Sequence, residues 1–246
     1  MGIEVFFIAV GILIFFAVMD LIVGVSNDAS NFLNSSIGSK VAPYHVIMII
    51  ASLGILAGVT FSSGMMEVAR KGIFHPQFFT MPELITIFIG VMVADVLLLD
   101  LFNTHGLPTS TTVSIVFELL GAAVAVSVIK IAADNGDNAM SLGEYINTGK
   151  ALMIAGGILL SIIVAFIGGA IAQFISRLIF TFDYKQRLKR YGAVWGGFAM
   201  SVITFFILVK GSKGASFMTE EAITWVMGHT LLIMFSIFAV SAVLFQ

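Results

Sequence analysis

Residues 4–39 read EVFFIAVGILIFFAVMDLIVGVSNDASNFLNSSIGS, an apolar run to residue 25 that leads directly into a polar segment, residues 26–39. The apolar run is long enough to cross the hydrocarbon core of a bilayer as an α-helix. No basic residue precedes it, which is unlike a cleavable signal peptide. The stretch therefore predicts a retained membrane span that ends in a polar site.

Six further apolar runs follow the first, at about residues 44–63, 84–102, 110–131, 151–180, 192–210 and 222–245. Only 11% of the residues are charged, against about a quarter in a soluble domain, and the mean hydropathy is +1.08. The runs are too long and too continuous for the alternating strands of a membrane β-barrel. We therefore predict an all-α polytopic membrane protein with about seven hydrophobic helical segments.

Composition also excludes several classes of function. A net charge of −2 without a basic stripe argues against a nucleic-acid partner. The absence of cysteine excludes thiolate metal sites and thiol nucleophiles. No nucleophile–base pair and no cluster of metal ligands suggests an enzyme. We expect neither enzymatic activity nor a cofactor, apart from a transported ion.

The orientation in the membrane is predicted from a cluster of basic residues in a predicted loop, residues 183–190: Lys185, Arg187, Lys189 and Arg190. Basic residues concentrate on the cytoplasmic side of membrane proteins. Counting spans back from this loop places the N-terminus outside. The lipid bilayer is expected to be the cell (inner) membrane.

The polar segment holds one acid and no base among many amides and hydroxyls. If it is helical, Asn27 and Asn31 share a face, Asp28 lies beside them, and the polar stripe extends back to Asp20. Carboxylate and amide oxygens suit a hard cation, so we predict Asn27, Asp28 and Asn31 as ion ligands, with Asp28 and Asn31 binding sodium. The alternative is a loop that caps two helices. Gly38 predicts the helix end.

A second polar motif, NTHGLPTSTT, occupies residues 103–112. Pro108 fits the first turn of the next helix, and Thr109 or Ser110 could cap that helix. Free backbone N–H groups at a helix start bind anions. The predicted substrate-binding residues are Ser110, Thr111 and Thr112. Alone the motif could be a simple helix cap, but together the two motifs offer oxygens to a cation and donors to an anion.

Three more acids lie in apolar runs: Asp95, Asp100 and Glu118. Glu118 follows Thr111 by seven residues and Ser114 by four, so the three share a helical face. It is a candidate coupling acid that carries a proton, or a structural hydrogen-bonding group between helices. Asp100 is expected near interfacial water. Asp95 is deeper, and the sequence indicates no partner for it.

The two motifs resemble those of the PiT family of inorganic phosphate transporters. That family carries a G-A-N-D-V-A-N-A-type segment in each of two inverted repeats, each followed by a P-x-S-T-T-type segment. The first segment is matched here by Asn27, Asp28, Asn31, Ser36, Gly38 and Ser39. The second is matched by Gly106, Leu107, Pro108, Ser110, Thr111 and Thr112. Val25 replaces the usual Gly, and Val113 stands where many members have His.

The resemblance implies a symporter of inorganic phosphate, driven by sodium or protons, with substrate bound between the two repeats. It implies an N-terminal repeat at residues 1–131 and connecting membrane helices at 132–246. No second motif pair occurs in the chain. The chain would then be one half of an inverted-repeat transporter, and a longer chain or a partner subunit, such as a homodimer mate, would supply the second repeat. Alternatives are a sulfate permease of this fold and a non-transporting membrane subunit.

Overall fold

The computed structural model describes residues 3–60, 72–133, 140–210 and 218–246, which are almost entirely helical. The helices are α1 (Ile3–Gly38), α2 (Tyr44–Thr60), α3 (Met81–Thr104), α4 (Thr111–Ala133), α5 (Leu142–Tyr145), α6 (Thr148–Phe180), α7 (Tyr184–Phe205), α8 (Glu220–Gly228) and α9 (Thr230–Leu244). The only β-structure in these ranges is an isolated bridge between Phe74 and Ile146. The predicted all-α class is confirmed.

The described helices that are long enough to span a membrane are fewer than the apolar runs of the sequence. In the described ranges, α1, α3, α4, α6 and α7 are long and apolar enough to cross a bilayer, with α7 continuing to Val209. The last run is broken, because α8 and α9 meet at a bend of 69°. The second run contains α2, a shorter apolar helix of 17 residues whose described part ends at Thr60. The chain is an integral membrane protein, and its described ranges contain five helices that are long and apolar enough to span a bilayer, or six if the bent pair is one span.

Helix α1 continues without a break through the whole polar segment and ends at Gly38, as predicted. Ser and Asn often compete with a helix by bonding to the backbone in other conformations. Here the Ser30 hydroxyl donates to the Ser26 carbonyl at 2.9 Å, one turn back, and Ser39 does the same to Ser35 at 2.6 Å. These bonds leave the helical backbone intact, so the polar groups extend a membrane helix rather than form a loop.

The prediction of a basic loop at residues 183–190 is wrong for its last seven residues, which begin α7. The connection between α6 and α7 is the short segment 181–183, in which Phe182 has a φ of 59°. The Arg187 guanidinium donates to the Ile179 carbonyl at 3.1 Å, near the end of α6. A cation at the C-terminal end of a helix binds carbonyls that have no partner within the helix, and this contact accounts for the early start of α7.

The contacts group the residues into two compact units, Met1–Gly54 with Glu67–Gly156 and Ile55–Met66 with Gly157–Gln246. In the first unit, α1 packs on α3 and α3 packs on α4. In the second, α7 packs on α9, and Gly197 permits a close approach: a Cβ there would lie 3.0 Å from the Phe238 carbonyl oxygen. The assignment of residues 1–131 to a transporter repeat remains a prediction.

One end of the α3–α4 pair is closed by a small cluster of buried side chains. It joins Ile73 and Phe74 to Tyr145 and Ile146, and the His75 N–H donates to the Tyr145 carbonyl at 2.9 Å. The same end carries an ion pair, in which the Lys130 ammonium lies 2.9 Å from a Glu83 carboxylate oxygen and donates to the Phe78 carbonyl. The opposite end of this helix pair holds the second polar motif.

Candidate functional site

The connection between α3 and α4 reverses the chain in six residues. Gly106 has a φ of +65°, and the Leu107 N–H donates to the Phe102 carbonyl at 2.9 Å. A positive φ favours glycine because a side chain there costs about 1 kcal/mol or more. After this turn, residues 107–110 follow a non-helical path until α4 begins at Thr111.

Ser110 caps α4, as the sequence allowed. Its hydroxyl oxygen accepts from the Val113 N–H at 3.4 Å, and its carbonyl accepts from the Ser114 N–H at 3.0 Å. The prediction that Pro108 occupies the first turn is wrong, because Pro108 precedes Thr111 by three residues. A residue before proline favours extended backbone, and the segment that contains Pro108 brings the carbonyl of Thr109 towards α1.

The two motifs meet at the Thr109 carbonyl oxygen. The side-chain amides of Asn27 and Asn31 both donate to it, at 3.0 and 2.9 Å. The two asparagines are four residues apart and therefore adjacent on one helical face. Asn27 is buried, with 1% of its surface exposed, whereas Asn31 is exposed. The pair clamps the start of α4 against α1.

Asp28 lies at the junction of the motifs with much of its hydrogen-bonding capacity unused. One carboxylate oxygen accepts from the Thr111 hydroxyl and from the Asn27 amide, both at 3.4 Å. Asn27 and Asn31 donate through their nitrogens, so their amide oxygens remain as acceptors. One carboxylate with neutral oxygens is a donor set that fits a monovalent hard cation. In the described ranges no group of three or more acids, histidines or cysteines could hold a metal ion.

Hydrogen-bond donors for an anion lie beside this carboxylate. Ser110 and Thr112 are exposed and Thr111 is half-buried, so their hydroxyls are accessible at the start of α4. The first N–H groups of a helix have no acceptor within the helix and carry the positive end of its dipole. The structure thus brings all six predicted ligand residues to one place.

Two further residues support this site, and the sequence assigned a role to neither of them. The Asn103 amide donates to the Val23 carbonyl at 3.3 Å, which ties the end of α3 to α1. Gly24 faces both neighbours of α1: a Cβ there would lie 3.8 Å from Thr111 and 3.9 Å from Leu99. Their signals were present, because Asn103 opens the second motif and Gly24 lies on the polar stripe of the first helix.

Replacement of Gly106 by Ala should destabilise the chain by about 1 kcal/mol, since the positive φ disfavours a side chain. No atom lies within 4 Å of the Cβ position, so the expected effect is conformational and not steric. Thermal unfolding in detergent measures it. The matched control is Gly143→Ala, which also adds a Cβ in open space but at ordinary φ. Equal stability of both variants would contradict the proposed role of the turn.

A second polar group lies deeper in the same unit. Asp95 is 1% exposed, and the side chains of Asp20 and Glu118 both approach its carboxyl group closely. The Ser114 hydroxyl donates to Glu118 at 2.7 Å, which confirms that these two residues share a face. Asp100 is exposed. The partners of Asp95, which the sequence did not indicate, are thus two other acids.

Comparisons with known proteins give a consistent result. The profile of the phosphate transporter family matches residues 24–241. Similar curated proteins with provisional names as phosphate permeases come from Pyrococcus abyssi, with 26% identity over 195 residues, and Thermococcus kodakarensis, with 28% over 202 residues. These alignments cover 78% and 79% of this chain but 45% of each relative, so the chain spans under half the length of these relatives. No solved structure matches significantly.

Proposed function

The chain belongs to the phosphate transporter family, and we propose that it supplies the N-terminal half of the site of an inorganic phosphate symporter coupled to sodium or protons. Asn27, Asp28 and Asn31 hold the cation side in this proposal. The hydroxyls of Ser110, Thr111 and Thr112, with the N–H groups at the start of α4, bind the phosphate. This function is transport rather than catalysis.

The observation that carries the proposal is the shared contact of both motifs at Thr109. Asn27 and Asn31 bind its carbonyl oxygen, and two residues later the Thr111 hydroxyl reaches Asp28. Donors for an anion and acceptors for a cation are therefore neighbours in space, although about 80 residues separate them in sequence. Two unrelated helix caps would not require this arrangement.

Symport follows from the charges of such a site. Phosphate beside an unneutralised Asp28 carboxylate meets like-charge repulsion, which is strong where water is excluded. A cation or proton bound at Asp28 removes the repulsion and adds attraction. Each ligand then raises the affinity for the other, because the coupling free energy between two sites is reciprocal. Neither moves efficiently alone, so their transport is coupled.

The length of the relatives supports the proposal that a second repeat contributes to the site. The chain spans about 45% of the relatives that it matches, and it contains one pair of motifs. We infer that a second repeat, in a longer chain or a partner subunit such as a second copy, completes the site. We also propose that the N-terminus lies on the outer side of the cell membrane and that the basic residues at the start of α7 lie on the cytoplasmic side.

The Ser110→Ala variant should raise the apparent KM for phosphate by about 10- to 100-fold, since the loss of one hydrogen bond to a charged ligand costs roughly 1.5–3 kcal/mol. Uptake of labelled phosphate across a concentration series measures the change. Ser141→Ala is a matched control, because Ser141 occupies the N-cap position of α5, away from the motifs. An unchanged KM in Ser110→Ala would contradict the assignment of Ser110 to the anion site.

Sulfate is the competing substrate, since neutral donors do not distinguish tetrahedral oxyanions by charge alone. The neighbouring acceptors favour phosphate, because phosphate keeps a hydroxyl group near neutral pH and can donate to Asp28 or an amide oxygen. Uptake of labelled phosphate in excess sulfate distinguishes the two. We expect little inhibition; strong inhibition would favour the sulfate permease.

A further inference from the structure

Three acids from three helices converge in the first unit, beyond the two motifs. Asp20 lies on α1, Asp95 on α3 and Glu118 on α4. The side chains of Asp20 and Glu118 both interact with the carboxyl group of Asp95. Asp20 and Glu118 are half-buried, and Asp95 is almost completely buried. Ionised carboxylates that are neighbours repel each other, and a proton shared between them or a bound cation relieves this repulsion.

The central acid has no donor to stabilise a negative charge. Both oxygens of Asp95 and one oxygen of Glu118 are buried and accept no hydrogen bond from any described residue. The other Glu118 oxygen accepts from the Ser114 hydroxyl. An ionised carboxylate that is buried without a donor or a counter-ion is strongly unfavourable. A protonated one can donate to its neighbour, which satisfies both groups.

No cationic side chain on the three helices neutralises the cluster. The other charged side chains on them are Glu4, Asp28, Glu83, Asp100 and Lys130. Lys130 is the single cation among these, and it pairs with Glu83 at the closed end of the α3–α4 pair. The three acids are also not arranged to hold a metal ion, as judged over the described ranges. A proton remains as the ligand that fits.

We propose that Asp20, Asp95 and Glu118 form a buried proton-binding site, in which the three carboxyl groups retain at least one shared proton near neutral pH. The proton lies between Asp95 and a neighbouring carboxyl oxygen, and the protonated group donates to the other. This site is distinct from the motif residues, although one row of polar side chains connects the two.

The connecting row runs along α4. Thr111, Ser114 and Glu118 are spaced by three and four residues and face the same way. At the N-terminal end of this row the Thr111 hydroxyl donates to Asp28, and at the other end the Ser114 hydroxyl donates to Glu118. Seven helical residues span about 10 Å. This step rests on the proposed symport. Loss of the shared proton adds negative charge about 10 Å from the phosphate site, so the proton is the coupling ion in this proposal.

Infrared spectroscopy of the natural full-length protein in lipid tests the site directly. A protonated carboxyl group has a C=O stretch that shifts in heavy water, and exposed Asp and Glu are ionised at about pH 7. We expect such a band at about pH 7 in the wild type and its loss in Asp95→Asn, because removal of the central acid separates the other two. Glu118→Gln is a second variant that should weaken the same band. Asp100 is an exposed acid on α3, the helix that also carries Asp95, so Asp100→Asn should leave the band unchanged.

Phosphate uptake in vesicles separates this inference from the proposed function. Asp95→Asn should also lose the stimulation of uptake by an inward proton gradient. A wild type without the band, or a band that survives both Asp95→Asn and Glu118→Gln, would overturn the proton site even if phosphate is transported. A protein that keeps the Asp95-dependent band but takes up no phosphate would support the proton site and contradict the proposed function.

Discussion

Asp28→Ala should abolish coupled phosphate uptake by the complete transporter. Asp28 is the one acid of its motif, it lies against Thr111 of the second motif, and its contacts at 3.4 Å leave capacity for a ligand. Loss of a direct contact between a carboxylate and a cation removes on the order of 3 kcal/mol. We therefore expect a decrease of uptake on the order of 100-fold at low cation concentration.

Asp28→Asn provides the sharper comparison, since it keeps the shape of the side chain and removes only its charge. It should likewise lose the dependence of uptake on the cation gradient. Asp100→Asn is the matched control, because Asp100 is exposed and makes no side-chain hydrogen bond to the described residues. Unchanged uptake and ion dependence in Asp28→Asn would contradict the coupling role and favour a non-transporting subunit.

Asn27→Ala should have the second largest effect, and it should affect stability as well as uptake. Asn27 is 1% exposed and donates to the Thr109 carbonyl at 3.0 Å. Removal of this buried donor should cost about 2 kcal/mol and loosen the start of α4. Asn31→Ala should weaken uptake with less loss of stability, because Asn31 is exposed and water can replace its donor.

Thermal unfolding and phosphate uptake, measured on the same preparations, test whether Asn27→Ala has a larger effect on stability than Asn31→Ala. Asn34→Ala is the control, since Asn34 is an exposed asparagine about two turns after Asn27 on α1. An Asn27 variant that is as stable as the Asn34 variant and transports normally would show that the clamp on Thr109 does not organise the site.

The helices and several of their ends could be predicted because they depend on the local sequence. Apolar runs marked the long helices, and Gly38 marked the end of α1. The six ligand candidates were found because amides, hydroxyls and one acid are unusual beside membrane spans. Their pairing was predicted from the complementary chemistry of the two motifs and from the resemblance. The contact that joins them was not predicted, because its acceptor is the backbone carbonyl of Thr109, which no side-chain pattern indicates.

The remaining features depend on packing between helices or on backbone geometry. Asp20, Asp95 and Glu118 were each visible as acids in apolar runs. Their convergence depends on how α1, α3 and α4 are rotated about their axes. Sequence reasoning does not predict this, because it gives no reason to pair side chains of like charge. Pro108 was misplaced because either a helix start or an extended approach fits its φ. The bend at His229 follows Gly228, but a single glycine in an apolar run does not indicate a break or its angle.

The early start of α7 shows a further limit. Basic residues after an apolar run usually indicate a loop at the membrane surface. Here the contact of Arg187 with the end of α6 makes a helical start favourable. The charges predict a membrane boundary in this region, but they did not indicate where the helix begins.

The most direct test of the two-motif site uses the absence of native cysteine in this chain. Thr112→Cys introduces an exposed thiol at the start of α4, and its modification by a water-soluble thiol reagent can be followed in the peptide that contains residue 112. Val41→Cys, in the exposed connection after α1, is the control. We predict that phosphate slows modification at residue 112 but not at 41, that the protection in the wild type depends on the coupling cation, and that Asp28→Asn removes this dependence on the cation. Equal rates at residue 112 with and without phosphate would contradict a phosphate site formed by the two motifs.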